Sequence, residues 1–370
     1  MHANLQKTNA ITILPKINFM ILEKRIRAFV ELGNFLSQFS KEVLHKNDNV
    51  LFNELFFDAF KLQLKRAKES NSWFIDDQMT FAINSWIKLL KINDLNKWTS
   101  FYTLNKERPK TIAVIMAGNI PLVGFHDFLS VLLSGHKILI KQSSNDKHLL
   151  PLIGKYLEHV EPEFKGCINF SDEKLSNFDA AIATGSNNTS RYFEYYFGKF
   201  PHIIRNNRNS VAVLTGNETT EELNRFGEDI FRYFGLGCRS VSKIFVPQHY
   251  DFDQLFKAIY DYKDIINYKK YENNYDYNKA IYLMSEFKLL ENGFLMLKED
   301  ISYASPIATL FYEYYDDLEV LQKQFKKDHE QIQCIVGHTS ESSVKFGETQ
   351  NPNLTDYADG VDTMAFLSSL

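Results

Sequence analysis

The sequence predicts an α/β protein: a doubly wound sheet domain, a smaller α/β unit after it, and a helical segment in front. Three observations predict it. From Thr111, short apolar runs ending in small-residue turns alternate with helix-patterned stretches, which is how parallel β–α units read. A second alternation of the same kind follows position 236. Upstream, residues 20–98 carry helical apolar periodicity and little Gly or Pro.

The elements follow in order. Ile21, Ile26, Phe29, Val30, Leu32 and Phe35 mark the apolar face of a first helix, and further helices are expected near 51–68 and 78–92. TIAVIMAG reads as a buried strand, FHDFLSVLLSG as a helix and HKILIKQSS as a second strand. A helix near 146–159 leads to CINF and then to FDAAIATGS, a strand running into a turn. The helix NTSRYFEYYFG precedes a strand pair, HIIRN and SVAVLTG. ETTEELNRFGEDIFRYFG is helical and LGCRSVSKIFVP is a turn entering a strand. Residues 250–298 read as a polar helical stretch. ASPIATLFYEY (strand), DDLEVLQKQFKKD (helix) and QIQCIVG (strand) complete the second unit, and TMAFL reads as a terminal strand. The domain reading is 1–19 as a disordered arm or a start assigned too early, and 20–235 as the helices plus the doubly wound domain. Residues 236–345 form the second unit, and 346–370 a tail returning to the first domain or to a dimer interface.

Bulk properties exclude several classes. A formal net charge of -4 argues against a general nucleic-acid binder. Three cysteines without CxxC spacing form neither a disulfide framework nor a zinc site, and fit a reducing, cytoplasmic setting. No apolar run approaches a membrane span of about 20 residues. No GxGxxG follows a strand, and no GxxxxGK[ST], HExxH or GxSxG occurs, so a dinucleotide would have to be held by other means.

Doubly wound sheets bind ligands beyond the C-terminal ends of their strands, here the tips GNIP, KQSSND and TGSNN. Cys238, in FGLGCRSVSKIFV, combines glycines that admit close backbone approach with Arg239 and Lys243, cations that would lower a thiol pKa. A lone Cys is as readily a buried structural residue, the reading preferred for Cys167 and Cys334. Asn119 follows the first strand and could donate to a developing oxyanion, or simply form a turn. Lys141 ends the second strand and could meet a ribose or phosphate, or snorkel. Thr184, Gly185 and Ser186 form a strand-to-helix turn. There Ser186 would cap the helix, whose N-terminus also attracts phosphate. His126 and Asp127 could be a proton-transfer pair, but neighbours on a helix point apart, so His126 is read as structural.

In order and spacing these pieces resemble the aldehyde dehydrogenase superfamily. The carriers are AVIMAGNIP with Asn119, ILIKQSSND with Lys141, ATGSNNTSR with Ser186, and LGCRSVSKIFVP with Cys238, over about 111–247. GNIPLVGFHDFLSVLLSGHKILIKQSSND is more similar still to the fatty acyl-CoA reductase of bacterial bioluminescence and its relatives. The resemblance implies an aldehyde-dehydrogenase-like fold with Cys238 as nucleophile and Asn119 as oxyanion donor. It also implies cofactor contacts from Lys141, Ser143, Thr184, Gly185 and Ser186. Two departures matter. Oxidising members carry a water-activating Glu where IIRNNRNSVAVL places Arg205, and their EIFGP-type segment here reads ISYASP, leaving Glu299 or Asp300 as substitutes.

The implied reaction reduces an acyl-CoA, of fatty type, to the aldehyde through a Cys238 thioester, with NADPH as expected cofactor and NADH as the alternative. An acyl-transferring partner protein and a homodimer or higher oligomer, paired through TMAFL, are further expectations. An aldehyde dehydrogenase or acyl-phosphate reductase of the same fold, or a non-catalytic nucleotide-binding subunit, stay open at this point.

Overall fold

The computed structural model describes residues 20–41, 44–104 and 109–370; the reading of 1–19 lies outside them. Four helices come first: α1 (Leu22–Leu36), α2 (Asn53–Ser70), α3 (Asp76–Leu89) and α4 (Ile92–Thr99). On α1, Ile26, Phe29, Leu32, Phe35 and Leu36 recur at helical spacing and are buried, whereas Ile21 at the helix entrance is exposed. Their partners lie in the sheet domain. Phe29 meets Phe125, Phe128 and Phe164 edge-on, and Phe35 stacks on Tyr156 at 4.4 Å. Such aromatic pairs contribute about 0.5–1.5 kcal/mol each beyond area burial. The helical segment therefore shares one core with the first sheet.

That sheet is built from β1 (Thr111–Ile115), α5 (Phe125–Leu133), β2 (Lys137–Lys141), α6 (Leu149–Val160), β3 (Ile168–Phe170), β4 (Ala180–Thr184), α7 (Asn187–Phe197) and β5 (His202–Arg205). Its order is β3-β2-β1-β4-β5 and every pairing is parallel. Ile112, Ala113 and Val114 are fully buried, as a strand covered on both faces must be. The chain winds outward from β1 and then returns to β4 on its other side. The switch point, where a crevice opens at the strand ends, therefore lies between β1 and β4.

The second sheet contains β6 (Asn209–Val213), α8 (Thr220–Phe231), β7 (Val241–Pro247), α9 (Phe252–Ala258), α10 (Lys269–Met284), β8 (Leu289–Glu291), β9 (Met296–Glu299), β10 (Thr309–Tyr315), α11 (Leu318–Lys327) and β11 (Ile332–Val336). Its order is β11-β6-β7-β10-β9-β8, parallel except between β8 and β9. Three sequence expectations change here. β5 and β6 read as a strand pair, yet residues 206–208 between them carry the chain from one sheet to the other. The passage thus falls well before the boundary set at 235/236, and β6 and α8 belong to the second unit. Within 250–298 the hairpin β8–β9 interrupts the expected helical stretch. Its loop is residues 292–295, with Gly293 at φ 90° and the Asn292 side-chain oxygen accepting from the Phe294 and Leu295 N–H groups at 3.2 and 2.9 Å.

TMAFL is not a strand: α12 (Thr363–Ser369) is a helix. Asp362 caps it by accepting from the Ala365 N–H at 2.8 Å, and Thr363, Met364 and Leu367 are buried at helical spacing. The helix packs against α5, so strand pairing across a dimer through this segment is withdrawn. The tail is also bonded to the N-terminal helices. Trp98 Nε1 donates to the Tyr357 hydroxyl and Tyr102 to Asp362, both at 2.8 Å. Among the described residues no helix is long and apolar enough to cross a membrane.

Candidate functional site

Four strand ends of the first sheet and the entry to β7 build one site. After β1, residues 116–124 form a loop whose Asn119 side chain donates to the Leu236 carbonyl at 2.8 Å, two residues before Cys238. In the same loop Leu122 adopts φ 57°, and its N–H donates to Asp146 at 2.9 Å. Asp146 lies beyond β2 and is buried, which pushes its carboxyl up to about 7 despite that bond. Gly118 lets this loop close on the β2 loop, since a Cβ there would stand 2.6 Å from the Ser143 side chain.

After β4, Ser186 caps α7: its hydroxyl accepts from the Thr189 N–H at 3.4 Å and meets Thr189 Oγ1 at 2.7 Å. At the end of β5, Arg205 is buried. Its two Nη atoms donate to the two oxygens of Asp127, in the first turn of α5, at 2.6 and 2.8 Å, and Nη2 also donates to Thr363 Oγ1 at 2.9 Å. Burial draws the guanidinium pKa down, but the charge and bonds of Asp127 outweigh it and hold Arg205 above its ordinary value.

The approach to β7 is left-handed at three successive residues: Tyr233, Phe234 and Gly235, with φ of 55°, 57° and 75°. Only Gly235 adopts this without cost; the other two positions are held by aromatics. Surrounding bonds hold them there. Tyr233 N–H donates to Gln78 at 2.9 Å, and Phe234 packs against Trp73 and Tyr268. Cys238 follows, an exposed thiol whose own carbonyl accepts from Ser210 at 3.0 Å. Cys167 is half-buried and Cys334 buried.

Cys238 lies where two cavities meet. One, of about 720 Å³, runs over the switch point and is bordered by Asn119, Ser143, Thr184, Gly185 and Ser186. The other, of about 190 Å³, is bordered by Trp86, Leu89, Ile120, Leu122, Tyr233 and Pro352. Cys238, Arg205 and Asp127 stand on both walls. Five of the residues singled out from sequence thus gather with Cys238 around one cavity. Lys141 does not border it; its ammonium donates to the Glu173 carbonyl at 3.1 Å. Neither Glu299 nor Asp300 borders it, and Asp300 is paired with Lys298.

The expected lowering of the thiol pKa is reversed. Crowding by protein pushes Cys238 up to about 11, with Arg239 and Arg205 pulling down against Cys334 and Asp359. Lys243 takes no part, because it is bound to Glu313 at 2.5 Å and the Ile301 carbonyl at 2.8 Å. His126 and Asp127 bond different partners, although both border the smaller cavity. The His126 ring bonds the Leu354 carbonyl at 3.0 Å beside Trp98 and Tyr357, and burial holds it below its ordinary pKa. Of the aromatics near the thiol, Tyr233 borders the smaller cavity while Phe231 and Phe234 pack elsewhere. Sequence reasoning missed the Arg205–Asp127 pair, the smaller cavity's wall on α3, and the tail residues Ala358 and Asp359 at the thiol. The only signal was one charged residue at a strand end and another of opposite sign in the first turn of a helix.

Residues 64–259, just over half of the chain, match the family acyl-CoA reductase (LuxC). No curated protein sequence matches. Several solved structures share the fold. Aldehyde dehydrogenase 21 from Physcomitrella patens, solved with the reaction product succinate, is similar at TM-score 0.65 and 11% identity, covering 95% of this chain and 84% of that one. An aldehyde dehydrogenase from Bacillus cereus gives 0.60 and 14%, covering 88% and 76%. The Mycobacterium tuberculosis aldehyde dehydrogenase complexed with NAD+ gives 0.53 and 14%, covering 81% and 70%. The architecture is therefore that of an aldehyde dehydrogenase.

Proposed function

The chain belongs to the acyl-CoA reductase (LuxC) family, and from that premise we propose that it reduces a fatty acyl-CoA to the aldehyde through a thioester on Cys238, with NADPH, or NADH, as hydride donor. One observation carries this reading: an exposed thiol at the junction of a cavity over the sheet's switch point, bordered by hydroxyl and amide side chains, and a second cavity walled by Trp86, Leu89, Ile120 and Leu122. The division suits a reaction that brings a polar cofactor and an aliphatic acyl group to opposite sides of one sulfur.

The polar cavity fits a nicotinamide dinucleotide. Its volume falls within the roughly 300–1,000 Å³ of ligand sites. Its wall offers hydroxyls and amides from Ser143, Asn145 and Thr184, and the capped N-terminus of α7 favours a phosphate. Ser143, Thr184, Gly185 and Ser186 would hold the cofactor, and Lys141 would join them by releasing the Glu173 carbonyl. When bound, the cofactor supplies a hydride to the acyl carbon.

The chain's own residues do the rest. The Cys238 sulfur, as thiolate, bonds to the thioester carbon, and the bond from that carbon to the CoA sulfur breaks. The CoA thiolate leaves and takes up the proton that Cys238 released. Covalent catalysis divides a difficult reduction into two easier steps. The Asn119 amide and the Cys238 N–H face the oxyanion. One Asn119 hydrogen is committed to Leu236, which orients the amide, and an amide has a second to give. After reduction the oxyanion collapses, expelling the Cys238 thiolate and freeing the aldehyde.

The test mixes the purified protein with a long-chain acyl-CoA and NADPH beside Cys238→Ala, following CoA release and NADPH loss. Both signals in the wild type and neither in the variant are expected. Loss of NADPH with an acyl phosphate and none with any acyl-CoA would move the reading to acyl-phosphate reduction. Silence from the wild type across chain lengths and both cofactors would end it.

A further inference from the structure

An acyl group on Cys238 faces two fates, reduction or attack by water. Water needs a base, and among the described residues Asp127 is the carboxylate that stands on the walls of both cavities with the thiol. It is not available. Arg205 forks onto both of its oxygens, at 2.6 and 2.8 Å, and is itself held by Thr363 at 2.9 Å. Both side chains are buried. A guanidinium does not deprotonate in proteins, so the masking cation persists as pH rises. Two further carboxylates each stand on one wall only: one oxygen of Asp359 lies 3.5 Å from Arg208 Nε, and one oxygen of Asp356 accepts from the Asn353 N–H at 2.8 Å.

We propose that Arg205 is a specificity-determining residue: by masking Asp127 it keeps the Cys238 acyl-enzyme from hydrolysis and leaves it to the reductant. The inference rests on the thioester reading above. With Arg205 removed, Asp127 would take a proton from water, the water oxygen would bond to the acyl carbon, and the bond from that carbon to Cys238 Sγ would break. The products are a carboxylic acid and the free thiolate, with no change in oxidation state.

The experiment supplies a long-chain acyl-CoA without NADPH to the wild type, Arg205→Gln and Arg205→Gln/Asp127→Asn, and measures the initial burst of CoA and the steady release of free acid. The wild type is expected to give a burst near one equivalent and slow turnover. Arg205→Gln should keep the burst and raise steady hydrolysis at least about tenfold, a threshold below the roughly 10²–10⁴-fold that a well-placed general base contributes, and the double variant should return to the wild-type rate. A folded Arg205→Gln, judged by a cooperative melt, that acylates but hydrolyses no faster overturns the inference. So does a double variant as fast as the single one, since the gain would then come from loosening alone. Where Arg205→Gln fails to melt cooperatively, Arg205→Lys decides: a lysine cannot cover both oxygens, so a smaller rise abolished by Asp127→Asn is expected, and no rise overturns the inference. A wild type without a burst removes the thioester reading and this inference with it, whereas a burst with unresponsive variants removes this inference alone.

Discussion

The two cavities that meet at Cys238 are made in different ways. The larger is bordered mostly by residues just past β1, β2, β4 and β5, with Leu236, Cys238, Ala358 and Asp359 closing it. The smaller draws on Ala82, Trp86 and Leu89 of α3, on Ile120 and Leu122, on Tyr233, and on Gln350 and Pro352. One wall is a property of the sheet's topology. The other exists only after helices, sheet domain and tail have packed together. On the proposed reading, the cofactor side follows from the fold, while the acyl side is free to vary with side chains.

Perturbing each side tests the division. On the polar side, Asn119→Ala removes a proposed oxyanion donor, and kcat should fall by about 10²–10³ with little change in KM. A loss confined to KM would show that Asn119 only shapes the loop. At the junction, a thiol pushed up to about 11 is protonated near neutrality. The rate of CoA release should therefore climb about tenfold per pH unit from 7 to 9. A plateau near pH 7 would mean that substrate lowers the thiol pKa on binding. On the apolar side, Trp86→Ala should shift preference toward longer acyl chains. The kcat/KM ratio between chains should move by about fourfold per methylene accommodated, from about 0.8 kcal/mol each. An unchanged chain-length profile would place the acyl group elsewhere.

The same contrast explains what was legible in the sequence. Asn119, Ser143, Thr184, Gly185 and Ser186 could be found because an apolar run ending in a small-residue turn marks the C-terminal edge of a strand. The α3 wall could not, because Trp86 turned toward a cavity and Trp98 turned into the core occupy the same kind of helical position. Lys141 was located correctly at a strand end, but where its ammonium goes depends on Glu173, 32 residues later. The thiol pKa was misjudged for a related reason. Arg239 is next to the thiol in sequence and Lys243 is five residues on, but Lys243 is spent on Glu313 and crowding outweighs Arg239. The terminal segment read as a strand because Met364, Phe366 and Leu367 are apolar in a short window; the Asp362 cap settles it as a helix.

The bond from Arg205 to Thr363 ties the chemistry to the order in which the chain is made. A ribosome adding about 5–20 residues per second delivers Cys238 on the order of ten seconds before the segment that carries Ala358, Asp359 and Thr363. During that interval the thiol has lost its tail-side wall, and the Arg205–Asp127 pair lacks its third anchor. The surroundings of the sulfur are therefore completed only when the tail arrives, and a chain interrupted near residue 350 would carry the proposed nucleophile without them.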